Sequence, residues 1–222
     1  MPGWEICQRE ISVSDSAHKV QKPRGRPPLS EDVLRGKVAE AATRVILAHG
    51  YPAMTMEAVA QQAGVAKKTV YRFAANRDEL VGLIVGSWTE ALPPAFDAEA
   101  TDAAEAVRIL ENILVLIAER VLTADAVGLF RLLVNDLPAR DDVLAIYGRN
   151  GIERSRGMLA DWLARHRSRG VLALADPAMA ADLILSMVVA EPLRRIAIGI
   201  SQPQPAWDIR PRVRAALDLL RL

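Results

Sequence analysis

Apolar residues recur along this chain at helical rather than strand spacing. Leu34, Val38, Ala41 and Val45 follow at i, i+4, i+7 and i+11, which lines one face of a helix running to about Ala48. Ser30 stands before it as an N-cap, with Glu31 and Asp32 in the first turn where the helix dipole favours acids. Gly50 and Pro52 stop it. Thr55 caps a second, short helix whose inward face is Met56, Val59, Ala60 and Ala63, and Gly64 ends it. A third short helix is expected over Lys67 to Phe73. A fourth opens near Arg77, carries Leu80, Ile84 and Trp88 on one side, and ends before Pro93-Pro94.

Nothing alternates with period two over a useful length. The remainder reads as helices over about 100–121, 124–137, 140–169, 177–199 and 207–221, broken at Pro138, at 170–176 and at Ser201-Gln202-Pro203-Gln204-Pro205. Pro192 falls inside the penultimate helix and is expected to kink it, because it removes a backbone donor and crowds the carbonyl of Val188. Residues 1–30 have no sustained periodicity and end in Lys22-Pro23-Arg24-Gly25-Arg26-Pro27-Pro28, a composition that reads as an extended arm. The expected architecture is all-α, with an arm over 1–30, a compact unit over 31–80 and a helical body over 81–222.

Composition narrows the function. Hydrophobic residues make up 51% of the 222 and charged residues 25%, ordinary globular values, while only 5% are aromatic. The single cysteine, Cys7, excludes an internal disulfide and a cysteine-built metal site. His18, His49 and His166 are too far apart for a local ligand pair, so no metal or cofactor is expected. No apolar run reaches the ~18–20 residues of a membrane helix. The first twenty residues carry Glu5, Glu10 and Asp15 without an apolar core, unlike a secretory signal. The expected location is the cytoplasm, without membrane contact.

The net charge of +1 hides an asymmetry. Residues 19–80 hold eleven Lys/Arg against six acids, a local +5, while the segments on either side are each at −2. A basic third attached to a mildly acidic body is the footprint of a polyanion-binding module.

Met56–Arg72 makes that reading specific. A helix-turn-helix needs a small residue where its helices approach, a residue tolerant of positive φ in the turn, and a branched apolar residue on the second helix. Ala60, Gly64 and Val70 stand at that spacing. The outer side of the second helix carries Lys67, Lys68, Thr69, Tyr71 and Arg72, with no acid. Cations neutralise phosphates, and hydroxyls donate to phosphate oxygens or touch base edges. On spacing alone, a plain helical hairpin with a basic solvated face stays open.

The order of these elements resembles the TetR family of bacterial transcriptional regulators. The matching segments are Ala48-His49-Gly50-Tyr51, Thr55-Met56-Glu57-Ala58-Val59-Ala60, Gly64 through Phe73, and Asn76-Arg77-Asp78-Glu79-Leu80. The resemblance is continuous over about 33–82. It implies a three-helix DNA-binding domain followed by a helical ligand-binding and dimerisation domain. DNA contacts would come from Thr55, Lys67, Lys68, Thr69, Tyr71 and Arg72. Two positions depart from the family pattern. Ala66 stands where members often have a Ser cap, and Ala74 stands where a Phe is common, leaving Phe73 to take over that packing.

The arm adds Arg24 and Arg26. Pro23-Arg24-Gly25-Arg26-Pro27 resembles the core of an AT-hook, in which Gly lets the backbone lie on a narrow minor-groove floor and the two Arg side chains splay along it. A basic linker touching phosphates without preference is the alternative.

Signatures of common enzyme classes are absent: no Gly-x-Ser-x-Gly, phosphate-binding Gly-rich loop or His-Glu-x-x-His occurs. Asp78-Glu79 and Asp141-Asp142 sit at helix starts, where the dipole explains them. His166, between Arg165 and Arg167, is expected to face solvent. A non-enzymatic regulator is the expectation. A helical small-molecule-binding or protein-interaction module without sequence-specific DNA binding is the alternative.

For residues 81–222 the resemblance implies a homodimer through the last two long helices and an enclosed effector site. Interface candidates are Leu183, Met187, Ala190 and Arg194 on one helix and Val213, Leu217 and Leu220 on the other. Pocket candidates are the large or polar groups among aliphatic neighbours: Trp88, Asn112, Phe130, Asn135, Tyr147, Met158 and Trp162. Asn112 is included because a buried amide needs a partner. The apolar surroundings suit a small hydrophobic or aromatic effector. The expected partners are a palindromic double-stranded operator, a second copy of the chain and that effector.

Overall fold

The computed structural model describes residues 30–136 and 141–220. Arg24, Arg26 and the rest of the arm lie outside the described residues. Twelve α-helices are described, and no strand is present among these residues.

Local chemistry sets the first four helices. Ser30 caps α1 (Glu31–His49), its hydroxyl accepting from the Val33 N–H. Thr55 does the same for α2 (Met56–Ala63) through the Ala58 N–H at 3.1 Å. Gly64 then adopts the left-handed conformation at φ 65°, turning the chain so that the Val65 N–H returns to the Ala60 carbonyl. The short α3 (Lys67–Tyr71) follows, and its N-cap Ala66 makes no side-chain cap bond. At α4 (Arg77–Thr89) a reciprocal pair forms: Asn76 accepts from the Glu79 N–H, and the Glu79 carboxylate accepts from the Ala75 N–H.

These helices close over one core containing Val38, Ile46, Met54, Val59, Val70, Leu80 and Ile84, all inaccessible to solvent. Ala74 is buried there and Phe73 packs partly against it, so Phe73 does share the role expected of it. This core continues past residue 80 through Val85. It also takes in Leu129 and Leu133 of α7 (Ala124–Asp136) and Val143 of α8 (Asp141–Tyr147).

A second, larger core lies among α5 (Pro93–Phe96), α6 (Ala103–Val121), α9 (Glu153–Ser168), α10 (Pro177–Leu185), α11 (Glu191–Ala197) and α12 (Arg210–Leu219). Two of the long helices expected from periodicity are interrupted. The 140–169 segment widens into a π turn at Gly148–Ile152, and 177–199 widens at Ser186–Ala190. In each, the closing N–H reaches back five residues, Glu153 to Gly148 and Glu191 to Ser186. The second lies just before Pro192, where the proline ring would crowd a regular turn, so a widened turn accommodates the expected disruption.

His166 corrects the sequence expectation. It is completely buried, stacked on Trp162 with centroids 3.8 Å apart. Its Nε2 accepts from the Ala100 N–H at 3.0 Å, and its Nδ1 lies 2.8 Å from the Trp162 carbonyl, to which it donates. The flanking arginines are exposed, and only the intervening position of the helix points inward. The imidazole therefore ties the loop before α6 to α9. Replacing His166 with Leu keeps apolar bulk but strips the acceptor from a buried backbone donor. A stability loss of about 1–3 kcal/mol is expected, read as a lower urea midpoint at unchanged slope; an unchanged midpoint would mean the bond contributes nothing net.

Candidate nucleic-acid interface and internal cavity

On the outer side of α3, Lys67, Lys68 and Arg72 are exposed, Tyr71 retains 47% of its accessible surface, and Thr69 is half-buried. The face is less uniformly positive than the helix alone suggests. Lys67 pairs with Glu57 of α2, and Arg72 with Glu31 of α1 at 3.2 Å. The shared hydrogen bond holds the Glu57 carboxyl below its ordinary range and the Lys67 ammonium above its own. Lys67 also lies 5.6 Å from the Tyr71 ring centroid. Exposed pairs of this kind contribute little to stability, so a phosphate can displace the carboxylate. Lys68 makes no ion pair among the described residues. The Thr55 hydroxyl is occupied by its cap, which leaves its exposed rim for contact.

The N-terminal end of α4 is fastened to the α1–α2 connection. The Tyr51 hydroxyl bonds to Asp78, and Arg77 lies 4.8 Å over the Tyr51 ring while donating to the Pro52 carbonyl at 3.2 Å. At its other end, α4 borders a cavity of about 270 Å³ through Val85, Trp88 and Thr89. The opposite walls are Ile117 and Val121 of α6, Phe130 of α7, Tyr147 of α8, and Leu185, Val189 and Leu193 around the second π turn. Ala126, Gly151, Ile152, Ser155, Arg156, Asp182, Ser186 and Ala190 complete it. Burial pushes the Tyr147 phenol up to about 12, and no hydrogen bond from a described residue offsets that desolvation.

Three of the seven pocket candidates, Trp88, Phe130 and Tyr147, thus converge on one cavity. The other four do not line it. Asn112 and Asn135 are exposed, so their amides need no buried partner. Trp162 is entirely in the second core, its Nε1 donating to the Ala98 carbonyl. Met158 packs partly against the same core. Periodicity gives no sign of the two π turns, although both border the cavity; Arg156 is one of several arginines on α9, and Asp182 is the single charged residue of α10, so neither carries a local mark of a cavity wall.

Among the interface candidates, Leu183 is 44% exposed, Ala190 and Arg194 are exposed, and Met187 is half-buried. Arg194 makes a double hydrogen bond to Glu191. Val213 and Leu217 instead point inward and belong to the protomer core, while Leu220 packs partly against it. The π turn inserts a residue and rotates the helix by about 100°, so spacing across residues 186–190 does not define one straight stripe. Exposed apolar side chains on these helices include Met179, Leu183 and Leu219.

Close approaches connect the cavity wall to α4. A Cβ on Gly82 would lie 3.0 Å from Ile146 Cγ2, and one on Gly151 would lie 2.9 Å from Val85 Cγ1. Thr89 Oγ1 is 3.4 Å from the Asn150 carbonyl. Among the described residues there is no metal-binding cluster and no helix long and apolar enough to cross a membrane.

Residues 38–84 match the family of bacterial regulatory proteins named for TetR, and residues 108–220 match the C-terminal domain of AefR-like transcriptional repressors. No curated protein matches the sequence. Among solved structures, the flavonoid-responsive regulator FrrA is 24% identical, with 85% of this chain and 95% of that one covered at a TM-score of 0.60. A TetR transcriptional regulator from Agrobacterium tumefaciens is 20% identical, with coverages of 83% and 93% and a TM-score of 0.60. The regulator FadR from Bacillus subtilis, crystallised with stearoyl-CoA, is 17% identical, with coverages of 83% and 96% and a TM-score of 0.61. At these identities the likeness is one of fold. The family matches reach further, since they cover the helix-turn-helix and most of the helical body: the chain belongs to the TetR family of transcriptional regulators.

Proposed function

We propose that this regulator is a homodimeric repressor that a small hydrophobic effector releases from a palindromic operator in the bacterial cytoplasm. Residues 31–80 form the reading head and residues 81–222 the regulatory and dimerisation body. One observation carries the reading: α4 is fastened to the head at Arg77 and Asp78 and forms part of the cavity wall at Val85, Trp88 and Thr89. A ligand that prefers a different cavity shape therefore acts on the helix that positions α3. Dimerisation uses the surface of α10–α12 around Leu183, Met187 and Ala190, and Val213 and Leu217 support it from within.

Lys67, Lys68, Tyr71 and Arg72 contact phosphates or base edges, with Thr55 and Thr69 at the margin. Lys67→Ala is expected to weaken operator binding and to reduce the slope of log affinity against log salt by about one unit. Tyr71→Phe is expected to weaken binding with the fold intact by circular dichroism. An unchanged affinity and slope in Lys67→Ala would place that side chain away from the DNA.

The arm reads an adjacent minor groove through Arg24 and Arg26. Deleting residues 1–28 is expected to weaken binding most on operators flanked by A·T pairs, measured by fluorescence anisotropy. Equal losses on A·T and G·C flanks would reduce the arm to nonspecific charge.

Release by an effector obeys reciprocity. A coupling of about 1–3 kcal/mol, or ~5- to 150-fold, is expected between effector and operator. Operator DNA must then weaken effector binding by the same factor in calorimetry. Equal effector affinity with and without operator would remove induction and leave a ligand-independent regulator.

A further inference from the structure

From the walls and charge balance of the α4 cavity we infer its ligand class: an uncharged aromatic molecule of two to three rings, bearing a hydrogen-bonding oxygen that meets Tyr147. This rests on the cavity being the effector site and goes beyond it by excluding anionic ligands.

Size comes first. A partly open cavity of about 270 Å³ is on the scale of a small ligand of two to three fused or linked rings. A long acyl chain with a nucleotide head exceeds that volume, and its head would have to lie outside the cavity. The walls supply the shape preference. Trp88, Phe130 and Tyr147 come from three different helices, in a chain with only ten aromatic residues, and they offer ring faces and edges to a flat ligand.

Charge decides the rest. The charged side chains lining the cavity are Arg156 and Asp182. The Arg156 guanidinium, 40% exposed, is paired twice, with Asp182 at 3.0 Å and with Glu153, so an anion competes with two carboxylates here where at Lys67 it competes with one. One cation held between two carboxylates leaves the group at −1. A ligand carboxylate would have to displace one of those partners and meet the other. A neutral ligand leaves the trio undisturbed. The Tyr147 phenol stays protonated at neutral pH, since burial raises it, and it has no hydrogen-bond partner among the described residues. It can therefore donate to a ligand carbonyl or accept from a ligand hydroxyl, with buried Ser155 as a second hydroxyl on the wall.

The test uses the full-length protein with three probes: 2-naphthol, 2-naphthoate and palmitoyl-CoA, titrated by calorimetry. At least tenfold tighter binding of 2-naphthol than of 2-naphthoate is expected, with no saturable palmitoyl-CoA binding at this site. Tyr147→Phe is expected to weaken 2-naphthol binding about 2- to 10-fold. The double variant Glu153→Gln, Asp182→Asn frees Arg156 and is expected to narrow or reverse the preference against naphthoate. Tighter naphthoate or palmitoyl-CoA binding in the unaltered protein, or no binding of 2-naphthol, would overturn the assignment. Trp88→Ala, which enlarges the cavity, must alter 2-naphthol affinity; if it does not, the probe sits elsewhere and the assignment also falls. Operator release is read separately by anisotropy. Naphthol binding at this site without release would sink the induction reading while leaving the ligand class standing.

Discussion

Helix α4 has no free face along its middle. Leu80, Val81, Leu83, Ile84 and Val85 are all buried, and five buried side chains among six successive positions of a helix cannot be served by one neighbour. A helix that is apolar all round has to be surrounded. Helices α1, α6 and α8 and the first π turn provide the surroundings, and α7 packs on α1 beside them. The core of the reading head consequently includes Leu129, Leu133 and Val143 from the body. Head and body are thus not two beads on a string, and a shift of α4 cannot occur without repacking both sides.

The close contacts follow from that constraint. Gly82 and Gly151 let α4 and the π turn approach until there is no room for a methyl group without displacing Ile146 or Val85. Packed interiors at this density are bistable rather than continuously deformable. The surface of the head obeys a different rule. Its ion pairs, Lys67 with Glu57 and Arg72 with Glu31, are solvent-exposed and weakly held, so they can be exchanged for DNA phosphates without disturbing the core beneath.

Much of the head was legible in the sequence because its signals are local. Ser30, Thr55 and Gly64 act within a turn of where they stand, and each performs the capping or turning role its chemistry dictates. The body was legible only as helices. Its second π turn answers to Pro192 just beyond it, but Gly148–Ile152 carries no local mark of a widened turn. Trp88, Phe130 and Tyr147 stood out because large groups are rare here. Asn112 and Asn135 stood out equally and proved to face solvent, since periodicity places a residue on a face only when the neighbouring helices are known. His166 failed in the opposite direction: flanking arginines suggested water, yet one position between two outward ones is where a helix turns inward.

The geometry of α4 also sets how small a cavity change can matter. From Trp88 to Arg77 the helix spans eleven residues, about 16 Å at 1.5 Å per residue. A tilt of about 5° at the cavity end displaces the Arg77 end by roughly 1.5 Å over that length. In a dimer, both heads move, and the spacing of the two α3 helices changes by up to twice that amount against a groove repeat of about 34 Å. Hydrogen bonds to phosphates and bases weaken steeply over such a distance. On the proposed release mechanism the head does not need to unfold or rotate far for affinity to fall; it needs only to follow a helix whose cavity end has been repositioned, and the Tyr51–Asp78 and Arg77–Pro52 contacts couple the two.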